Sequence, residues 1–65
     1  MAEKIANRLL QARGERTQEE VARAVGVSRA AICQYEQGIR VPSDTVKLAL
    51  AHYYGKTVQE LFFDI

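Results

Sequence analysis

Apolar residues recur at helical spacing along most of the chain, with glycines between the successive runs. Alanine and aliphatic residues three or four positions apart predict a first helix over residues 2–13. The same spacing predicts a helix over residues 44–54 and a shorter one after Thr57. No stretch alternates polar and apolar residues for long, so we expect no strand. The pattern therefore predicts an all-α domain.

Hydroxyl residues and glycines mark where these helices begin and end. A Ser or Thr side chain before a helix can accept an N–H group of its first turn. The candidate N-caps are Thr17, Ser28, Ser43 and Thr57. Glu20 and Glu60 each lie three residues after a threonine cap, which predicts two capping boxes. The glycines that end predicted helices are Gly14, Gly26, Gly38 and Gly55. These boundaries divide the single domain, residues 1–65, into five helices.

The segment from Gly26 to Gly38 is the most informative part of the chain. A helix that ends at Gly26 and another that begins after Ser28 have the spacing of a helix-turn-helix. In the second of these helices, Ser28, Ile32, Tyr35 and Glu36 share one side. The other side carries small residues and amides, namely Ala30, Cys33, Gln34 and Gln37, and Arg29 stands at the helix start. Such a face can approach DNA closely and read base edges. The alternative is a short surface helix with no partner.

Composition limits how so short a chain is stabilised and what it does. Its 65 residues allow one small core, and its single cysteine forms no internal disulfide. One Cys and one His make no ordinary metal site, so helix packing or a partner subunit must supply stability. No paired carboxylates, nucleophile–base pair or phosphate loop can be assembled, so we expect neither an enzyme nor a cofactor. No secretory signal or membrane-length apolar run is visible, and we expect a cytoplasmic protein with no membrane partner.

Charge is weakly asymmetric along the chain. Residues 1–40 hold seven Lys/Arg and five Glu, giving +2, and residues 41–65 hold two Lys and three acidic residues, giving −1. The total of +1 permits phosphate contacts by the N-terminal part without demonstrating them.

A set of residues keeps a fixed spacing across four predicted helices. It comprises Thr17-Gln18-Glu19-Glu20-Val21-Ala22, Val25-Gly26-Val27-Ser28, Ile32, Tyr35-Glu36-Gln37-Gly38, Arg40, Pro42-Ser43 and Glu60-Leu61-Phe62. This set resembles the phage repressor and Cro-type helix-turn-helix domain, the XRE-like family, over roughly residues 4–63. The resemblance implies a compact, five-helix, lambda-repressor-like domain in which helices 2 and 3 form the motif. It also implies a transcriptional regulator, a repressor, that binds operator DNA in the major groove through helix 3 as a homodimer.

The family's residue roles carry over where positions match. Gln18 stands where the family binds a phosphate, helped by the N–H groups of that helix start. Residues 28–30 stand where it reads bases, Gln34 lies one turn further on, and Arg40 occupies the loop that contacts the DNA backbone. The expected DNA-binding residues are Thr17, Gln18, Ser28, Arg29, Ala30, Ala31, Cys33, Gln34 and Arg40. Cys33 is either an oxidisable switch on this face or a small filler.

Glu36 is predicted on the buried side of helix 3, and a buried carboxylate needs a partner. The family pairs this glutamate with an arginine of helix 1. Here the connection Gly14–Arg16 is one residue longer than the common form and puts Leu10 at that arginine's position. Arg13 and Arg8 are the candidate substitutes.

The C-terminal residues carry the prediction of a dimer contact. The candidates are the helix and tail residues Leu61, Phe62, Phe63 and Ile65. Leu61 and Phe62 are also core candidates, and an exposed apolar tail indicates either a partner surface or a frayed end. The low net charge and this tail leave a second function open, a protein-interaction module such as an antitoxin-like protein or a repressor antagonist on the same fold.

Overall fold

A computed structural model describes the backbone of residues 2–63 and the side chains of residues 4–63. Residues 2–63 form five helices. They are α1 (Ala2–Arg13), α2 (Gln18–Val25), α3 (Arg29–Glu36), α4 (Asp44–Tyr54) and α5 (Val58–Phe62). Residues 2–63 contain no strand. The predicted all-α, five-helix fold is confirmed.

The predicted N-caps all cap helices. Ser28 Oγ accepts the Ala31 N–H at 3.1 Å and so sets where α3 begins. At α5 the capping box is complete, because Thr57 Oγ1 accepts the Glu60 N–H and the Thr57 N–H donates back to Glu60 Oε1 at 2.9 Å. At α2 only the hydroxyl half is present, from the Glu20 N–H to Thr17 Oγ1 at 3.0 Å.

Two glycines adopt the left-handed backbone on which the helix-turn-helix depends. Gly26 has φ +77°, and its N–H and that of Val27 both donate to the Ala22 carbonyl, which closes α2. Gly38 has φ +75° and follows the C-cap Gln37, one residue later than a glycine C-cap would stand. Each glycine turns the chain sharply. Gly26 therefore fixes the direction of α3 relative to α2, and Gly38 fixes the direction of the loop that follows α3.

The core takes one almost fully buried aliphatic side chain from every helix. These are Leu9, Val21, Ile32, Leu50 and Leu61. Each contributes roughly 1.5–3 kcal/mol of transfer free energy when removed from water. Helix α1 packs on α3 and α5, α2 packs on α3 and α4, and α4 packs on α5. Within residues 2–63, no helix has both the length and the apolar composition of a membrane span.

The packing of α5 contradicts part of the predicted dimer surface. Leu61 and Phe62 are buried in the domain's own core, because α5 packs its apolar side on α1 and α4. They are therefore not available on the surface for a partner. Phe63 is 53% exposed, and Ile65 lies outside the described residues.

Candidate nucleic-acid interface

Helix α3 has a buried side and an accessible side, as the sequence predicts, but Ser28, which was predicted on the side of Ile32, is exposed at the N-cap. Ile32, Tyr35 and Glu36 are buried, whereas Ala30 is exposed. The remaining accessible side chains of this helix and its C-cap are Arg29, Cys33, Gln34 and Gln37. Cys33 and Gln34 are partly covered, and Cys33 is a free thiol.

Ala31 corrects the predicted set of DNA-binding residues. Its side chain is 6% exposed and belongs to the core cluster. Residue 31 lies four positions before Tyr35, and residues four apart share a helix face. Ala31 therefore packs inward with Tyr35 and presents no surface to DNA.

The starts of α2 and α3 lie beside one concave surface. Arg29, at the first position of α3, lines it together with Thr17 and Gln18 at the start of α2. Arg13, the last residue of α1, and Glu19 complete the lining. The structure thus brings together three residues predicted to bind DNA, and it adds Arg13, which was predicted only as a partner for Glu36.

A hydrogen-bond network on Glu36 ties α1, α2 and α3 together. Arg13 Nε donates to Glu36 Oε2 at 2.8 Å, and Gln18 Nε2 donates to Glu36 Oε1 at 2.9 Å. Arg13 Nη1 also donates to the Arg16 carbonyl at 2.8 Å, which secures the connection between α1 and α2. Arg13 is therefore the partner that the buried carboxylate requires, and the Arg8 alternative is wrong, since Arg8 Nη1 bonds the Phe63 carbonyl instead.

The same network orients Gln18. One N–H of its amide is held by Glu36, and the second N–H remains to bind an acceptor. The first backbone N–H groups of α2 have no intrahelical acceptor and carry the positive end of the helix dipole. Such groups suit a phosphate, although Glu19 and Glu20 add negative charge to the same turn.

Arg40 lies on the loop after α3. Its guanidinium carbon is 5.8 Å from the centroid of the Tyr35 ring, within cation–π range. The N–H groups of Ile39 and Arg40 both donate to the Gln34 carbonyl, at 3.0 and 3.4 Å. These bonds fold the loop back on the end of α3, so Arg40 is exposed at the edge of the α3 surface.

The contact of Arg16 with two tyrosine rings of α4 was not predicted from the sequence. The Arg16 guanidinium carbon lies 5.4 Å from the Tyr53 centroid and 5.8 Å from the Tyr54 centroid. The pKa of Tyr54 is raised to about 12, chiefly by burial and then by the nearby Glu36 charge, against the lowering effect of Arg13 and Arg16. No local pattern signals this contact, because it joins residues more than 35 positions apart.

The candidate site presents charged and hydrogen-bonding groups. Among the described residues, His, Cys, Asp and Glu side chains form no cluster suited to a metal ion. What the surface offers is guanidinium and amide groups around the exposed start of α3, which is the chemistry that recognises phosphates and base edges.

The comparisons with known proteins agree with this geometry. A family model described as a helix-turn-helix domain matches residues 7–61, most of the chain. No curated protein and no solved structure matches the sequence of this chain. The helix-turn-helix is a motif that binds DNA by placing its second helix in the major groove. The matched region includes all of α2 and α3, and the chain belongs to the helix-turn-helix domain family.

Proposed function

We propose that this protein is a sequence-specific transcriptional repressor of the phage repressor and Cro type, which binds operator DNA as a homodimer. The observation that carries the proposal is the exposed start of α3 beside the start of α2, with Arg29 and Gln18 on one concave surface. A base-reading group and a phosphate-binding group are then held in a fixed relation. Occupying a promoter would suffice for repression without any chemical step.

In the proposed complex, α3 enters the major groove with its N-terminal residues against base edges. Arg29 reads guanine, the commonest specific contact of arginine, and Gln34 reads a base one helical turn further along. Exposed Ala30 allows the backbone to come close, and Ser28 and Cys33 flank the contact.

Phosphates on either side would fix the register of α3. Thr17 and Gln18 bind one phosphate with the first N–H groups of α2, and Arg40 binds another at the far end of α3. Because the net charge is only +1, few phosphate contacts are available, and base readout must supply a large share of the affinity.

The test begins with selection of binding sequences from a random duplex pool at two salt concentrations. A recovered motif with two half-sites about one helical turn apart, roughly 10 bp, and weaker binding at high salt would support the proposal. Recovery of nothing above background would overturn it.

Three variants then separate base contacts from phosphate contacts. We expect Arg29→Ala to weaken the selected site by about 1–3 kcal/mol and scrambled DNA much less, so that specificity is relaxed. Arg40→Ala should weaken all sequences alike and reduce the salt slope by about one unit. Lys56→Ala is the matched control, because it removes one exposed positive charge from the connection between α4 and α5. Equal effects of Arg29→Ala and Lys56→Ala would contradict the assigned role of Arg29.

A second candidate function is protein interaction on the same fold. The exposed apolar side chains of Ile39, Leu48 and Phe63 favour it. Its signature would be salt-insensitive binding to a protein, in contrast to DNA binding that falls steeply with salt.

A further inference from the structure

Phe63 is an exposed aromatic residue that the fold holds in place. Its N–H donates to the Gln59 carbonyl at 3.1 Å, and its own carbonyl accepts Arg8 Nη1 at 3.0 Å. Its ring centroid lies 5.8 Å from Lys47 Nζ. Two hydrogen bonds thus fix the backbone of a residue that is 53% exposed, and its ring also contacts Lys47. An aromatic ring on a fixed backbone has only two side-chain torsions to order on binding, which suits the anchor of an interface.

Side-chain contacts connect Phe63 to the first turns of α4. Lys47 Nζ lies 4.0 Å from Asp44 Oδ1, so Phe63, Lys47 and Asp44 form one continuous surface. Leu48 follows Lys47 directly and is 63% exposed, and Val41, three residues before Asp44, is half exposed. We call Val41, Asp44, Lys47, Leu48 and Phe63 the α4 surface.

The charges of the α4 surface favour one kind of occupant. It carries one fully exposed carboxylate, Asp44, and one ammonium group, that of Lys47, whose side chain is 19% exposed and lies over the Phe62 and Phe63 rings. Because the charges of Asp44 and Lys47 cancel, the surface has no net positive charge to attract nucleic acid, and a strongly charged protein would meet one like charge. A two-fold contact brings the surface against itself, so that Asp44 of each copy can face Lys47 of the other while Leu48 and Phe63 are covered.

We propose that the α4 surface is the interface with a second copy of this chain. This inference rests on the proposed function, in which a dimer reads two half-sites, and it replaces the buried Leu61 and Phe62 of the sequence prediction. The domain's dimensions of 29 × 22 × 22 Å are compatible with it. Two domains side by side reach a half-site spacing of roughly 34 Å if each α3 lies about 3–6 Å further from the two-fold axis than its domain centre.

The size of the α4 surface determines where association is observed. A standard interface buries about 800 Å² per partner, roughly a fifth of the 4309 Å² that the described domain exposes. Five side chains cover much less, so the free dimer is weak. The interface acts chiefly by making the binding of two copies to adjacent half-sites cooperative, because the effective concentration of one copy beside the other is high there.

The experiment compares Leu48→Glu and Phe63→Ala with Leu10→Glu, all as the full 65-residue chain. Leu10 is also an exposed helical leucine, so the control matches the residue type and the charge change. Each protein is titrated onto a duplex with one half-site and a duplex with two half-sites one turn apart, using the selected sequence. Each is also examined by sedimentation equilibrium at high concentration, and thermal melting confirms that it is folded.

We expect the wild type and Leu10→Glu to bind the two-half-site duplex cooperatively. Leu48→Glu and Phe63→Ala should lose about tenfold or more of that cooperativity. The affinity of Leu48→Glu for a single half-site should be within about twofold of that of Leu10→Glu, which has the same charge. The affinity of Phe63→Ala should be within about twofold of that of the wild type. Cooperativity within about twofold of Leu10→Glu in both variants would overturn the proposal. So would a wild type that associates neither on DNA nor in the centrifuge.

Failure of DNA binding by the wild type would overturn the proposed function without deciding the interface. Sedimentation then decides it. Self-association of the wild type that is lost in Leu48→Glu and Phe63→Ala, and kept in Leu10→Glu, supports the α4 surface. Self-association that all variants share overturns it.

Discussion

Glu36→Gln removes the charge at the centre of the three-helix network while keeping the side chain's shape. The residue is 5% exposed, and its carboxylate accepts Arg13 Nε at 2.8 Å and Gln18 Nε2 at 2.9 Å. Removing one partner of a fully buried ion pair costs about 3–5 kcal/mol, because the other charge loses its counterion without regaining water. The Arg13 side chain is 22% exposed and regains some hydration, so we expect a loss of about 2–3 kcal/mol. In a domain of 65 residues, that loss lowers Tm by about 10–20 °C.

Urea and thermal unfolding followed by circular dichroism measure this loss at neutral pH. The matched control is Glu19→Gln, which breaks the exposed pair with Arg23 (3.7 Å, Glu19 side chain 71% exposed) and should cost less than about 0.5 kcal/mol. Adding Arg13→Met to Glu36→Gln should restore part of the stability, since it removes the uncompensated cation. An effect of Glu36→Gln no larger than that of Glu19→Gln would refute the reasoning.

Three further predictions concern titration and backbone geometry. Tyr54 has a pKa of about 12 in the fold against 10.0 for an ordinary tyrosine, so the free energy of unfolding should fall as pH rises from 10 towards 12. Tyr54→Phe should reduce that fall, and equal alkaline curves for both proteins would contradict it. The Thr57 N–H donates to the Glu60 carboxylate and lowers the pKa of Glu60 below its ordinary value of 4.5. The stability that the ionised carboxylate contributes is therefore present above pH 4.5 and is lost on acidification. Glu60→Gln should flatten this part of an acid titration of helicity, and an unchanged profile would count against the capping box. Gly26→Ala should cost about 1–2 kcal/mol in urea unfolding, because φ is +77° while nothing lies within 4 Å of the added carbon; a neutral result would exclude backbone strain there.

The helices and their faces could be predicted because their signals are local. Caps and glycines lie within a few residues of the boundaries that they set, and the apolar period placed Ile32 and Tyr35 inward. Ala31 was misassigned because the predicted buried face of α3 was drawn too narrow. A stripe of about 100° or more includes a small residue that lies one turn before Tyr35.

The contacts between distant residues could not be predicted in the same way. The sequence required a partner for Glu36 and left two arginines open, and only the packing of α1 on α3 selects Arg13. The contact of Arg16 with the tyrosine rings of α4 depends on how α2 places the preceding loop, which no periodicity records. Phe63 was recognised as exposed and apolar, but its fixed position depends on Arg8, 55 positions away.

The closure of α1 on α5 affects how the domain unfolds. The bond from Arg8 to the Phe63 carbonyl joins the first helix to the residue after the last one, and Leu9 and Leu61 are buried in the same core. Neither terminal helix can detach alone without exposing side chains from the other. Separate fraying of α1 or α5 is therefore suppressed, and the amide hydrogens at the centre of α1 exchange with solvent mainly through cooperative opening of the whole domain.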